Sequence, residues 1–204
     1  MLPAHRLFSV NRSMLVWRVL LSLQEDAGRL VQEAGMSDTR FPRNIFLAIL
    51  AAGILQCLHD YPLLPERMAS HFGVSGDPNG WMMKSQFLSV YAVVMIPAII
   101  LEFWMPFKIG RTAGNRLNLP NKDYWLAPER RAETLAYFET FFAWYGCAFL
   151  ALEVFAMGLG MRANLHDPPH LPTGPIVFAI AAFVLFNIVC ITAVLRRFSK
   201  LPTI

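Results

Sequence analysis

Four long apolar stretches dominate the chain, and polar or turn-forming segments separate them. An α-helix needs about 20 apolar residues to cross the hydrocarbon core of a bilayer. A helix also pairs its own backbone groups, for which lipid offers no partner. We therefore expect four transmembrane helices within residues 41–198, followed by a short tail at 199–204. The four stretches run over residues 41–58, 85–107, 135–160 and 175–195.

The composition agrees with this pattern. Hydrophobic residues make up 55% of the chain and charged residues 16%, against roughly 45–50% and about 25% in soluble domains. Cys57, Cys147 and Cys190 each lie in an apolar stretch without a CxxC pair, so neither a disulfide framework nor a cysteine metal site is expected. The predicted fold class is an all-α integral membrane protein, a four-helix transmembrane bundle.

The first forty residues follow a different pattern. Apolar residues recur at helical spacing between Val16 and Ala34, with charged residues on the other face and Gly35 as a stop. This pattern predicts a cytoplasmic amphipathic helix in segment 1–40, lying on the membrane with Trp17 at the interface. Packing on a partner protein is an equal alternative, and a start at Met36 would remove the helix altogether.

The basic residues predict the orientation of the spans. The segment before the first span, the loop between the second and third, and the tail hold fifteen of the 18 Lys and Arg residues, and the remaining three are Arg67, Lys84 and Arg162. The positive-inside rule then places both termini in the cytoplasm and the 59–84 and 161–174 loops outside. We expect a multi-pass protein of the bacterial cytoplasmic membrane. Topology accounts for the net charge of +4, so no nucleic-acid partner is expected.

The connector after the first span carries unusually specific residues. It reads LPERMASHFGVSGDPNGW from Leu64 to Trp81. Residues 70–74 alternate polar and apolar, as in a short strand, and Asp77-Pro78-Asn79-Gly80 has the composition of a β-turn. We therefore predict a small extracytoplasmic cap with a turn at 77–80.

The same segment resembles a known signature. Leu64, Pro65, His71, Phe72, Gly76, Trp81 and Lys84 match the pattern LPxxxPxHFxxxGxxxxWxxK. The segment therefore resembles the signature of a bacterial membrane family of unknown function. That family is related to SdpI-type proteins, which give immunity to a secreted peptide toxin. The chain departs at Ala69, where the signature has proline. The stretch 118–135 also resembles a cytoplasmic loop of non-immunity members, and the NPxTG-like loop of SdpI-type proteins is absent. The resemblance implies the fold and the membrane location, and an immunity role less directly.

Histidines and acids supply the candidate site residues. His59, His71, His166 and His170 fall on the predicted outer side and are candidate metal ligands. A structural role for His71 in binding loop carbonyls is the stronger expectation, because its loop has no second histidine at ligand spacing. No metal or other cofactor is therefore predicted.

Charged side chains inside a span are costly and usually face the bundle interior. Glu102 and Glu139 are expected near the cytoplasmic interface, with Lys108 in reach of Glu102. Glu153 lies deeper, and we expect it to face inward with Lys84, Arg162 or Asn187 as partner. Asn187 by itself is typical of hydrogen bonding between helices.

These residues leave three functions open. The first is a binding protein whose cap meets a peptide, a lipid or a membrane-protein subunit, with immunity or sensing as one version. The second is a small transporter or proton-handling protein using Glu153. The third is a metal site or enzyme built on the outward histidines. The sequence favours a non-enzyme, because it holds no GxSxG, HExxH, P-loop or strand-linked GxGxxG motif.

Overall fold

The computed structural model describes residues 39–105, 108 and 118–201. The amphipathic helix predicted in segment 1–40 lies outside these residues, apart from positions 39 and 40. Met36, the alternative start, also lies outside them. In the described part, five helices and one β-hairpin follow each other along the chain.

Four of the helices are long enough and apolar enough to cross a membrane, as predicted. The first, α1, is continued by a 3₁₀ turn at Tyr61–Leu63, and the second, α2, by a π-helical turn at Ile100–Trp104. A short helix, α3, precedes the third long one. The helix bounds are α1 Arg40–Asp60, α2 Lys84–Ile99, α3 Lys122–Trp125, α4 Pro128–Ala163 and α5 Thr173–Ser199.

The third spanning helix is much longer than the predicted stretch at 135–160. It starts at Pro128, which occupies the first helical turn with Glu129 beside it. Proline suits that turn because its missing N–H would be unpaired there anyway, and an acid favours the positive helix end. At 1.5 Å per residue α4 is about 54 Å long, well beyond the roughly 30 Å of a hydrocarbon core. Hydropathy alone therefore located the apolar part of α4 and missed the turns before residue 135.

The connector between α1 and α2 folds as an antiparallel hairpin. Its strands are β1, Arg67–Phe72, and β2, Pro78–Met83. The turn predicted at 77–80 is wrong, because Pro78 already begins β2. The chain instead reverses over Gly73–Asp77, where the Gly73 N–H donates to the Asp77 carbonyl (2.8 Å) and Gly76 adopts a φ of +89°. Glycine reaches that left-handed conformation at little cost, which fixes the turn there.

The core of the bundle lies between α1, α2 and α4. Phe46, Tyr91 and Leu150 are buried at its centre together with Met95, Ala98 and Cys147. The fifth helix is peripheral: apart from Phe198 its large apolar residues are exposed or half-buried in the structure. It contacts α4 through rings such as Tyr145 and Phe183. The apolar surface of α5 fits an element that faces lipid.

The segment around α3 closes the end of the bundle opposite the hairpin. The Asn121 amide donates to the carbonyls of Phe198 and Ser199 (3.0 and 3.1 Å), and the Trp125 indole N–H donates to Phe198 (2.9 Å). These side chains satisfy carbonyls that the end of α5 leaves without partners. Arg130 lies over the Tyr124 ring at 3.8 Å, so this arginine has a local structural contact.

Candidate functional site

A buried asparagine fastens the hairpin to the end of α4. The Ala69 N–H donates to Asn164 Oδ1 (2.6 Å), and Asn164 Nδ2 donates to the carbonyls of Ala69 and Gly160 (both 2.9 Å). Asn164 is only 3% exposed. Its amide thus binds the outer edge of β1 as a neighbouring strand would. Asn164 is not among the candidates predicted from the sequence, although asparagine after a long helix is a familiar helix-stop signal.

A second connection joins the hairpin turn to the loop that leads into α5. The Leu171 N–H donates to the Gly76 carbonyl (2.9 Å), and His170 Nδ1 lies 3.5 Å from Asp77 Oδ1. A side chain at position 76 would overlap the Leu171 carbonyl and the His170 ring. Gly76, a signature residue, is therefore needed both for its backbone conformation and for the contact between the two loops.

Lys84 ties the two ends of the hairpin connector together. Its Nζ lies 3.0 Å from Glu66 Oε1, donates to the Leu64 carbonyl (3.2 Å) and sits over the Tyr61 ring. Its backbone N–H also donates to the Glu66 carbonyl (2.9 Å). Lys84 therefore serves the cap, and the predicted pairing of Lys84 with Glu153 is wrong.

An apolar layer lies beneath the hairpin. Leu64 and Met68 are buried there against Phe87 and Met161, from α2 and α4. Among the other signature residues, Phe72 is half-buried and Pro65 is exposed. We refer to residues 61–84 as the hairpin cap.

Among the described residues, no segment is hydrogen-bonded to the outer edge of β2 at Trp81. Ala69 lies opposite Trp81, and both backbone groups of Ala69 point away from β2 toward Asn164. In an antiparallel ladder this makes the pair a non-hydrogen-bonded one, so Trp81 directs its own N–H and C=O away from β1. Its side chain is 44% exposed, and Arg67 lies over the ring at 5.5 Å.

The four candidate metal-binding histidines do not converge. His71 is exposed, and its Nδ1 lies 3.1 Å from Ser70 Oγ; the expected bonds to loop carbonyls are not among the hydrogen bonds of the described residues. His59 lies 2.8 Å from Asp60 Oδ1, His170 lies beside Asp77, and His166 is exposed. Within the described residues no group of three His, Cys, Asp or Glu side chains is arranged to hold a metal ion.

Two intramembrane acids are buried. Glu153 is 7% exposed and faces the interior, as predicted, in electrostatic reach of Tyr91, and its Oε2 has no hydrogen-bond partner among the described residues. Glu102 is 1% exposed, lies in the π-helical turn against Gly146, and neither of its oxygens has such a partner. The position of Glu102 near the cytoplasmic interface stays a prediction, and the Lys108 ammonium lies over the Trp104 ring. Glu139 is half-buried on α4.

Asn187 joins two helices as predicted, but with a different partner. The Tyr145 hydroxyl on α4 donates to Asn187 Oδ1, and Asn187 Nδ2 donates to the Phe183 carbonyl (2.7 Å). Arg162, the other candidate partner of Glu153, is exposed at the hairpin end of α4. It lines a groove between α1 and α4 together with His59 and Asp60.

Comparison with known proteins gives one match. Residues 46–101 match a domain of unknown function, DUF1648. The matched region contains most of α1, the whole hairpin cap and all of α2, so the cap and its two flanking spans form the unit that this chain shares with that domain. No curated protein and no solved structure matches the chain.

Proposed function

We propose that this protein is an integral membrane binding protein whose hairpin cap docks an extended peptide segment along the open edge of β2. The observation that carries the proposal is the asymmetry of the hairpin. Asn164 covers the β1 edge at Ala69, whereas the backbone groups of Trp81 on the opposite edge point outward. An added strand is a common way for a sheet edge to bind a peptide.

The cap is suited to such binding because it is held in one shape. Asn164, Gly76 and Lys84 fix β1, the turn and the base of the hairpin. A preorganised surface avoids part of the entropy cost of ordering on binding. The exposed side chains of Trp81 and Met83 flank the open edge, and an indole offers a large contact area with little conformational freedom to lose.

The proposed location is the bacterial cytoplasmic membrane, with the cap outside and both termini in the cytoplasm. Four apolar helices support a multi-pass protein, and the distribution of basic residues supports the orientation. Reporter fusions at residues 75 and 120 test it: we expect an external signal at 75 and a cytoplasmic one at 120. A cytoplasmic signal from residue 75 would overturn this orientation.

Immunity or sensing is the concrete version of this binding function. It is supported by the resemblance of the segment from Leu64 to Lys84 to the signature shared with SdpI-type proteins. A secreted peptide that reaches the outer surface is the ligand class that this version requires. The NPxTG-like loop of those proteins is absent from this chain, so the support comes from the cap alone.

Photo-cross-linking in native membranes tests peptide docking. A benzophenone amino acid is placed at Met83, beside the open edge, and in a control protein at Val74, which is fully exposed at the turn. We expect a peptide adduct from position 83, none from position 74, and loss of the adduct when Trp81→Ala is added. Equal labelling at both positions, or adducts with lipid only, would overturn the proposal.

A second candidate is proton handling, and the buried acids favour it. Glu102 and Glu153 carry oxygens without hydrogen-bond partners among the described residues. The side chains of Cys147 and Leu150 lie between their levels on α4 and are buried in the apolar core. A proton route past both acids would therefore need water or a rearrangement of this core. A liposome pH assay tests the candidate: proton flux that Glu153→Gln abolishes would support it.

A further inference from the structure

A groove runs between α1 and α4. Two adjoining cavities of about 670 and 270 Å³ form it, and Gln56, Val154 and Arg162 line both. The walls include Leu55 and Phe155, whose side chains are exposed. Since both helices are membrane spans, the groove opens sideways into the bilayer, and lipid is the molecule that it meets first.

The groove is polar at one end and apolar along the rest. Arg162, His59 and Asp60 lie at the hairpin end, whereas Ile49 and Ala151 lie at the far end. The rise from Ala151 to Arg162 is about 16 Å at 1.5 Å per residue. Half of a hydrocarbon core is about 15 Å thick, so the groove is as long as one acyl chain in one leaflet.

A glycine sets the wall of the groove. Gly158 on α4 lies against the Gln56 side chain of α1, and a Cβ at position 158 would overlap the Gln56 amide. The two helices thus approach closely at this level. The amide of Gln56 lies between the polar end and the apolar part of the groove.

The polar end carries one group of each charge. Arg162 makes no ion pair within the described residues, and its side chain is exposed. Asp60 is 7% exposed; one of its oxygens contacts His59 at 2.8 Å, and the other has no hydrogen-bond partner among the described residues. A guanidinium binds phosphate well. A buried carboxylate with spare acceptor capacity favours a cationic donor.

We propose that this groove binds one phospholipid with a primary ammonium headgroup. The phosphodiester binds Arg162, the ammonium group lies at the Asp60–His59 pair, and one acyl chain follows the apolar part between α1 and α4. The charge pattern favours a zwitterionic headgroup, because the end carries both Arg162 and Asp60. The Asp60 oxygen without a hydrogen-bond partner favours an ammonium group that has N–H donors. This site is separate from the open edge at Trp81 and does not depend on peptide docking.

Native mass spectrometry of the purified full-length protein, titrated with defined lipids, tests the proposal. The probes are phosphatidylethanolamine, phosphatidylcholine, which has the same phosphate but no N–H donors, and phosphatidylglycerol, which is anionic. We expect phosphatidylethanolamine to bind about tenfold more tightly than the other two. Equal retention of all three would show nonspecific lipid contact and overturn the proposal.

Three variants separate the parts of the site. Arg162→Gln should weaken all three phospholipids, whereas Asp60→Asn should remove the preference for phosphatidylethanolamine over phosphatidylcholine. Ala52→Trp fills the exposed groove wall without changing a charge, and it should weaken every lipid even if Asp60→Asn fails to fold. The matched control is Val93→Trp, at an exposed position on α2 outside the groove, and it should bind like the parent protein. Unchanged binding by both Arg162→Gln and Ala52→Trp would refute the site.

Discussion

Asn164 and Ala69, 95 positions apart in the chain, form a two-way amide pair in which each residue donates to the other. The side-chain amide of Asn164 occupies the place that a third strand would take beside β1. This pair holds the hairpin cap on the end of α4. The opposite edge of the hairpin, at Trp81, has no comparable contact among the described residues.

Asn164→Ala should destabilise the protein. The change removes three hydrogen bonds and leaves the backbone of Ala69 without its partner, and a buried group in that state costs roughly 1–3 kcal/mol. We expect the free energy of unfolding in detergent to fall by about 2 kcal/mol. Asn79→Ala, at an exposed position in the same hairpin, is the control and should change stability little. A similar loss in both variants would mean that the amide pair is not what holds the cap.

Ala69→Pro tests the same pair from the other side. Proline lacks the N–H that Ala69 donates to Asn164, although the signature has proline at this position. We expect the single change to destabilise this chain, and Asn164→Ala to cost less in the Ala69→Pro background than in the parent. A double-mutant cycle measures this coupling, which is about 0.5–3 kcal/mol for contacting residues. Additive effects would contradict a direct interaction.

Gly76→Ala should loosen the turn of the hairpin cap. Gly76 has a φ of +89°, and a Cβ there would overlap the Leu171 carbonyl. The left-handed conformation alone costs an alanine roughly 1–2 kcal/mol. Hydrogen exchange of the Leu171 amide, which donates to Gly76, should become faster. Gly174→Ala is the matched control, since a Cβ at position 174 meets nothing within 4 Å; equal acceleration there would argue against a local effect.

Glu153→Gln and Lys84→Gln should differ in stability. Lys84 contacts Glu66 and the Leu64 carbonyl, so its replacement should lower the free energy of unfolding by about 1 kcal/mol. Glu153 has no cation to lose within the described residues, and glutamine keeps its shape. We expect a change within about 0.5 kcal/mol for Glu153→Gln. Thermal unfolding of both variants measures the difference. A larger loss of stability for Glu153→Gln than for Lys84→Gln would mean that Glu153 has a stabilising partner other than Lys84.

The sequence predicted the parts of this fold that depend on local chemistry. Hydropathy located the four spans, because the length of an apolar stretch is matched to the bilayer. The start of α4 at Pro128 also reflects a local preference, because proline suits the first turn of a helix. The inward position of Glu153 followed from the cost of exposing an acid to lipid.

The tertiary structure alone decided which polar groups meet. Lys84 and Glu153 were plausible partners by depth, but the hairpin connector brings Lys84 to Glu66. The turn predicted at 77–80 lies instead at Gly73–Asp77, where Gly76 contacts the loop at Leu171. The pairing of Asn164 with Ala69 and the groove lined by Arg162 depend on how α1, the hairpin and α4 pack. Helix rotation and close approach fix such contacts, and neither is visible in the hydrophobic pattern of a single stretch.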